Sequence, residues 1–540
     1  MFTYWKPRLK EAVSKGQSLS FVGKKKVEGR SPLFNTRRYL AFVSTKTKVV
    51  FKNYTPNQVM MLPPSLEELI DKNHPVRVVN QIIERIDIDP LLKKFKGGGT
   101  SSYHPRMLLK VLVYAYVNNT YSSRRMESAL KENIHFMWLA GMNKPDHNTI
   151  NRFRSERLKD VLKTVFGKVV ELLVEAGHLD LKEIYTDGTK LEAQANRYTF
   201  VWGNAIKRSK ARMEEQLKEL WTYAESVATE ELKDQAPENF AVVSAQQMSK
   251  TIAQIDQALE GKEISKQKRQ KLNYAKKNWP SSMERYAQQE QILKKRNSYS
   301  KTDTDATFMR MKEDHMKNGQ LKPAYNVQLS SNNQYVVNYS LHQNPTDTTT
   351  LKKHLESFHF LYKKYPEVLT ADAGYGSEEN YLLLNKYKIE GYVKHNQFDW
   401  EQRSKQADWF KGDQLEYDKK KDVLYCPIGD EMKRIGEATR VTANGFKQTL
   451  TKYQAKNCKG CPLKEACHSQ VGNRIVDINH RLRKLKQKAN ARLKSERGNR
   501  YRKRRPPDIE PVFANLKHNK NFKRFMLKGI DKVETETGFY

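Results

Sequence analysis

Hydrophobic and polar positions alternate in two different periods along this chain, and the change of period divides it. From Pro63 the spacing is helical. Ser65 and Glu68 stand in capping-box relation ahead of Leu69-Ile70, predicting a helix start there. Pro105 opens a second helix with Leu108, Leu109, Leu112, Val113 and Tyr116 on one face. A polar turn at Asn118-Asn119-Thr120 precedes another helical stretch from Ser122, and Pro145-Asp146 starts a helix over Ile150 to Leu158. The pattern then shortens to strand type in Glu183-Ile184-Tyr185-Thr186-Asp187-Gly188-Thr189. Between about 203 and 298 it returns to helical spacing, at Met213, Leu217, Leu220 and Ala224 and again at Ile252, Ile255 and Leu259, which predicts a helical insertion of hairpin form.

Beyond the insertion, Ala324–Leu329 and Tyr335–Tyr339 read as paired strands around a polar turn at Ser330 to Asn333. A helix is expected from Thr348 to about Tyr362. A short buried strand at Val368-Leu369 follows, ending on Asp372, with a Gly-rich turn and a helix capped by Ser377. Ile389 to Val393 is a further strand. Basic helix fills 478 to 505, and Pro506-Pro507 is expected to begin a separate last helix with Asp508 as its N-cap and Glu510 in its first turn. The fold class that results is α/β: a mixed sheet interrupted by a helical insertion and preceded by an all-helical region.

Composition sharpens the partner. The 540 residues carry 98 Lys+Arg against 61 Asp+Glu, a formal net charge of +37, and an excess of that size asks for a polyanion, with nucleic acid the default. A generally basic surface without a specific partner is the bland alternative. Residues 1–52 are basic and weakly patterned and read as a disordered arm. The region gives no segment long enough for a membrane span and no apolar leader near the N-terminus, so a soluble, non-secreted protein is expected.

Three acids are candidates for one site. Asp187 and Asp372 share a syntax, a strand followed by Asp and a glycine, and strand tips are where α/β sheets place their chemistry. Glu510 would come from a packed helix. Mg²⁺ or Mn²⁺ is a hard ion that wants carboxylate oxygens, and metal-assisted attack at phosphorus needs no nucleophilic side chain. Each acid also has a plain reading, Asp before Gly as turn chemistry and Glu near a helix start as a dipole complement. Cys426, Cys458, Cys461 and Cys467 form a second set, four thiolates suited to a closed structural zinc site, with His468 able to replace one; unligated reduced thiols are the alternative. The basic run from Arg481 to Arg505 reads as a phosphate-backbone track leading to Glu510, or as a solvated helix face. Arg152, Arg154 and Arg157 near the end of the helical region fit a helix-turn-helix or an ordinary bundle equally well.

These residues resemble the bacterial insertion-sequence transposases with an RNase H-like DDE core. Tyr185-Thr186-Asp187-Gly188-Thr189-Lys190 is similar to their first catalytic block, Thr370-Ala371-Asp372-Ala373-Gly374-Tyr375-Gly376 to the second, and Glu510-Pro511-Val512-Phe513 with Lys517 to the third. Lys322 to Gln328 and Asn521 to Phe525 fit between and after them. Tyr103-His104-Pro105, Tyr121 to Arg124 and Thr149 to Arg154 resemble the helical domain of one branch. The resemblance implies Asp187, Asp372 and Glu510 as Mg²⁺ ligands, and Lys517, Arg504, Arg505, Arg152 and Arg154 as DNA contacts. It also implies a domain order: helical DNA-binding domain at 53–175, RNase H-like core at 176–400 plus 476–540, and a Cys-rich segment at 401–475. The implied activity is cleavage at terminal inverted repeats and transfer to target DNA, by a homo-oligomer acting in the cytoplasm on the nucleoid. A DNA-binding remnant without catalysis and an RNase H-like nuclease without strand transfer are the alternatives.

Overall fold

The computed structural model describes residues 65–95, 102–232, 240, 244–311, 320–403, 410–442 and 444–540. The expected arm at 1–52 lies outside the described residues.

The first part is helical. Helices α1 (Pro75–Arg85), α2 (Asp89–Leu92), α3 (Pro105–Val117), α4 (Ser123–Glu132), α5 (Ile134–Leu139) and α6 (His147–Arg152) share one buried cluster that includes Leu108, Leu109, Leu112 and Tyr116. The capping-box bonds at Ser65 form, with its hydroxyl donating to Glu68 Oε1 at 3.0 Å, but they close a turn. The helix itself starts at Pro75, where His74 Nδ1 accepts from the Val76 amide and proline supplies a preset φ. After α6 the chain makes a π-helical turn at Phe153–Arg157 and continues into α7 (Leu162–Glu175).

A mixed sheet follows. Its strands are β1 (Glu183–Glu192), β4 (Thr307–Arg310), β5 (Leu321–Asn332), β6 (Tyr335–His342), β7 (Val368–Ala371) and β8 (Glu390–Val393), while β2 (Phe200–Trp202) and β3 (Ser298–Ser300) form a separate two-stranded ribbon. The order is β4-β5-β1-β7-β8, with β6 also on the far edge of β5. β1 lies antiparallel to β5, with Asp187 opposite Leu329, and parallel to β7, with Thr186 opposite Ala371. Successive residues of β1 enter different cores, Ile184 with Leu369, Leu355 and Phe358 on one side and Tyr185 with Tyr325, Tyr392 and Tyr501 on the other. The strand is thus buried on both faces, the setting that favours continuous apolar runs.

Between β2 and β3 the insertion holds three helices, α8 (Gly203–Val227), α9 (Ala245–Ala258) and α10 (Lys266–Leu293), around their own cluster of Leu217, Leu220, Trp221, Ile255 and Trp279. The expected hairpin is therefore a three-helix unit, because the run from Ser244 carries a full capping box and forms a helix of its own. The β5–β6 connection also differs from expectation. Ser330 to Asn332 continue the strand, and the turn is Asn333-Gln334, both at positive φ (51° and 66°), a pair that matches the twist of a two-residue hairpin.

Helices α11 (Leu351–Tyr362) and α7 cover one side of the sheet, and α12 (Glu378–Lys386) and α13 (Phe398–Arg403) follow β7 and β8. A second, antiparallel sheet comprises β9 (Tyr417–Asp418), β10 (Val423–Tyr425), β11 (Glu431–Val441), β12 (Lys447–Ala455) and β13 (Ile475–Ile478), with the short α14 (Lys464–Cys467) before its last strand. Helices α15 (His480–Lys494) and α16 (Glu496–Ala514) return to the first sheet, α16 crossing β8, β7, β1 and β5. After a π-helical turn at Asn515–Asn519, α17 (Ile530–Thr537) packs on β6.

One expectation is corrected here. Pro506, Pro507 and Pro511 lie inside α16, which runs unbroken from Glu496, so no helix starts at Pro506 and Asp508 is not an N-cap. Interior prolines each remove a helix bond and normally break the element. Packing of Tyr501 and Ile509, both buried, across the sheet holds this helix together.

Candidate active site

The parallel pairing of β1 and β7 brings Asp187 level with the turn that follows β7; Asp187 is not at a strand tip as expected, because pairing with β5 carries β1 on to Glu192. Asp372 follows the last residue of β7 and caps a 3-10 turn, its Oδ1 accepting the Gly374 amide at 2.8 Å. Asp187 lies one residue beyond the β1–β7 pairing, on the same end of the sheet, and its Oδ1 accepts the Gly188 amide at 2.8 Å. Both acids act on Tyr375. Burial pushes that phenol well above its ordinary range, and the carboxylates of Asp347, Asp187 and Asp372 push it in the same direction. Tyr375 is fully buried and its hydroxyl donates to Gln328 Oε1 on β5.

Asp347 was not singled out from the sequence. It opens a 3-10 turn after β6, and its Oδ1 accepts from Asn326 Nδ2 and from Gln328 Nε2, each at 2.8 Å. The legible signal was the polar alternation on β5: Asn326, Gln328 and Ser330 are all buried on a strand whose neighbours are apolar.

The remaining expected residues are placed as follows. Glu510 is exposed on α16. Among the described residues no three His, Cys, Asp or Glu side chains are arranged to hold a metal ion, so Asp187, Asp372 and Glu510 do not close a metal cage as they stand. Arg505 turns inward, with one guanidinium nitrogen 2.9 Å from Asp187 Oδ2, while its buried Nε has no partner. Arg504 reaches Asn333 Oδ1 at 2.7 Å and stays half-exposed. Lys517 is 9% exposed. Arg152 is exposed, whereas Arg154 is 2% exposed and donates to the Tyr116 hydroxyl, the Tyr121 carbonyl and Asn151 Oδ1. Arg154 also faces the fully buried Glu536 of α17, so its charge is used inside the protein and is not available to a phosphate; this corrects the expected DNA contact.

Do these groups fit a divalent cation? The donors are hard carboxylate oxygens on adjacent strands, and the missing side chains of Gly188 and Gly374 let the Asp347 carboxylate approach both. The chemistry fits Mg²⁺ or Mn²⁺.

The four cysteines gather in the second sheet. Cys426 follows β10, Cys458 and Cys461 follow β12, and Cys467 ends α14; all four line one pocket with His468 and Arg474. Arg474 is 8% exposed, and it donates from its guanidinium to Cys467 Sγ at 3.0 Å and from its backbone amide to Cys458 Sγ at 3.4 Å. Burial lowers the His468 pKa, and its buried Nε2 has no partner.

Two family models match the chain. A transposase domain (DUF772) spans residues 64–156, and a transposase DDE domain spans residues 425–540. No curated protein and no solved structure matches it. The two matches support an insertion-sequence transposase of the DDE type. Transposases act on DNA and the DDE family implies a divalent metal such as Mg²⁺, and the DDE domain supports a nuclease- or transposase-type enzyme. No helix among the described residues is long and apolar enough to cross a membrane.

Proposed function

We propose that this transposase binds the terminal inverted repeats of its own element and catalyses metal-dependent strand cleavage followed by strand transfer to target DNA. The observation that carries the reading is the meeting of Asp187 and Asp372 around Tyr375, on neighbouring parallel strands and at one end of the sheet. Asp187, Asp372 and Glu510 would hold the cation. When bound, a divalent ion supplies the polarisation of the scissile phosphate and the acidification of the attacking water. The chain's own part is to hold the carboxylates on adjacent strands and to lead the backbone to them. Arg505, beside Asp187, balances the acid's charge.

The strand order β6-β5-β1-β7-β8, with β1 antiparallel to β5 and parallel to β7, supports an RNase H-like core. The cluster shared by α1 to α6 supports the reading of 53–175 as a helical DNA-binding domain, with exposed Arg152 among its contacts. Lys484, Lys488, Arg492, Lys494, Arg500 and Lys503 are exposed along α15 and α16 and supply the backbone track. Joining two element ends calls for a homo-oligomer. For the cysteine pocket we propose structural Zn²⁺ held by Cys426, Cys458, Cys461 and Cys467, supported by the gathering of all four in one pocket.

The test is a cleavage and joining assay with Mg²⁺ or Mn²⁺ on DNA carrying the flanking repeats. Wild-type protein should cut and join, and Asp187→Asn and Asp372→Asn should bind without cutting. Binding alone by the wild type would point to a remnant, and cutting without joining to a nuclease.

A further inference from the structure

We propose that Asp347 is a third acid of the Asp187/Asp372 site, a positioning residue whose carboxylate, held between β1 and the Asp372 turn, acts by adding a negative charge where the two aspartates meet. The inference rests on the transposase reading above and adds to it a residue outside both the Asp and the Glu blocks.

Three observations carry it. First, the Asp347 carboxylate stands between Gly188 of β1 and the turn that follows Asp372. A Cβ on Gly188 would stand 2.6 Å from Asp347 Oδ1, and a Cβ on Gly374 would stand 3.4 Å from Asp347 Oδ2 and 3.0 Å from Asp372 Oδ1. Asp347 Oδ2 and Asp372 Oδ1 therefore face one small volume, which a side chain at Gly374 would invade. Second, the carboxylate is oriented. Asn326 and Gln328 both donate to Oδ1, and the same Gln328 accepts the Tyr375 hydroxyl, so the acid, the amide and the phenol below the site form one chain of bonds. Oδ2 is the oxygen left toward Gly374 and Asp372. Third, the turn that carries Asp347 is tied to the Asp372 turn. The Thr348 hydroxyl donates to the Gly374 carbonyl at 3.1 Å, and Asn380 Nδ2 donates to the carbonyls of both Thr348 and Tyr375, at 3.0 and 2.9 Å.

Asp347 thus differs from an ordinary turn acid. Its neighbours fix which oxygen points where, and its charge lies beside two others with one nearby guanidinium, that of Arg505 on Asp187. Three carboxylates so placed attract a divalent cation more strongly than two.

The experiment is Mn²⁺ titration of the full chain by electron paramagnetic resonance, with thermal melts and the cleavage assay alongside. Asp347→Asn keeps an oxygen for the Asn326 and Gln328 donors and removes the charge. It should weaken Mn²⁺ binding by about tenfold or more with little change in melting temperature. Asp347→Glu keeps the charge and should bind Mn²⁺ more tightly than Asp347→Asn. Mn²⁺ affinity in Asp347→Asn equal to wild type, in a protein where Asp372→Asn loses it, would overturn the assignment and leave the transposase reading intact. Equal loss in the Asn and Glu variants would also overturn it, since the role would then be steric. A wild-type chain that neither binds Mn²⁺ nor cuts DNA would overturn the transposase reading and this inference together.

Discussion

Asp508 and Glu510 sit two residues apart on α16 and do opposite work. Asp508 is buried, its Oδ1 accepting the Ser331 hydroxyl at 2.6 Å and the Gln334 amide at 3.4 Å, so it pins the helix to the β5–β6 hairpin. Glu510 is exposed. Replacing Asp508 by Ala strands buried donors and should lower stability by about 1–3 kcal/mol. Glu510→Gln should change stability by less than about 0.5 kcal/mol and, on the proposed reading, abolish cleavage. Urea unfolding and the cleavage assay read the two effects separately. The positions of Asp187 and Asp372 were legible because each follows an apolar run and is followed closely by glycine, although β1 continues through Asp187 to Glu192. Asp347 was not, because an Asp after Asn344-Pro345-Thr346 has the composition of any turn. Its neighbours across the site come from strands far away in the chain.

At the scale of elements, α15 and α16 show how one basic run becomes two functional surfaces. Ser495 separates them as the N-cap of α16, accepting the Gly498 amide at 3.1 Å. Lys484, Lys488 and Arg492 follow at a spacing of four along α15 and are exposed, whereas Arg505 on α16 turns onto Asp187. Phosphate contacts by the exposed stripe release counterions. The triple variant Lys484→Gln, Lys488→Gln, Arg492→Gln should reduce the slope of log affinity against log salt by about 2–3 on duplex DNA, with melting temperature retained. An unchanged slope would place the DNA elsewhere. The charge of this stretch was plain in the sequence. The division of its arginines between water and the site was not, since helical phase sets it only once the buried face is known. The same holds for the prolines of α16, whose local tendency to end a helix is overridden by packing on the sheet.

At the scale of the whole molecule, the buried histidines under β6 make stability depend on pH. His354 is buried with a ring nitrogen on each of the Ser330 and Ser340 hydroxyls, both at 2.7 Å, and His342 meets Ser340 at 2.8 Å. Burial lowers both, His342 to about 3 and His354 well below its usual value. The unfolded chain takes up protons near pH 6.5, where the folded chain does not, so stability is lost as pH falls from about 6.5 toward 3. Each ring contributes about 1.4 kcal/mol per pH unit in that window. Urea unfolding at a series of pH values should show this slope, and His342→Gln should remove about half of the part due to the pair.

What the sequence alone determined is what depends on neighbours in the chain: the helical and strand periods, the three-helix insertion as a helical region, the turn after Asp372, the basic run and the clustering of all four cysteines. What only the tertiary structure decided is what depends on partners distant in the chain. The pairing of β1 with β5 and β7 put Asp187, Asp372 and Asp347 around one buried tyrosine. Packing of α16 chose Asp508 for the interior and Glu510 for the surface, and the contact of α17 with the helical region turned Arg154 inward onto Glu536. Local periodicity carries no information on which face will find which partner, because burial is a property of the assembled surfaces.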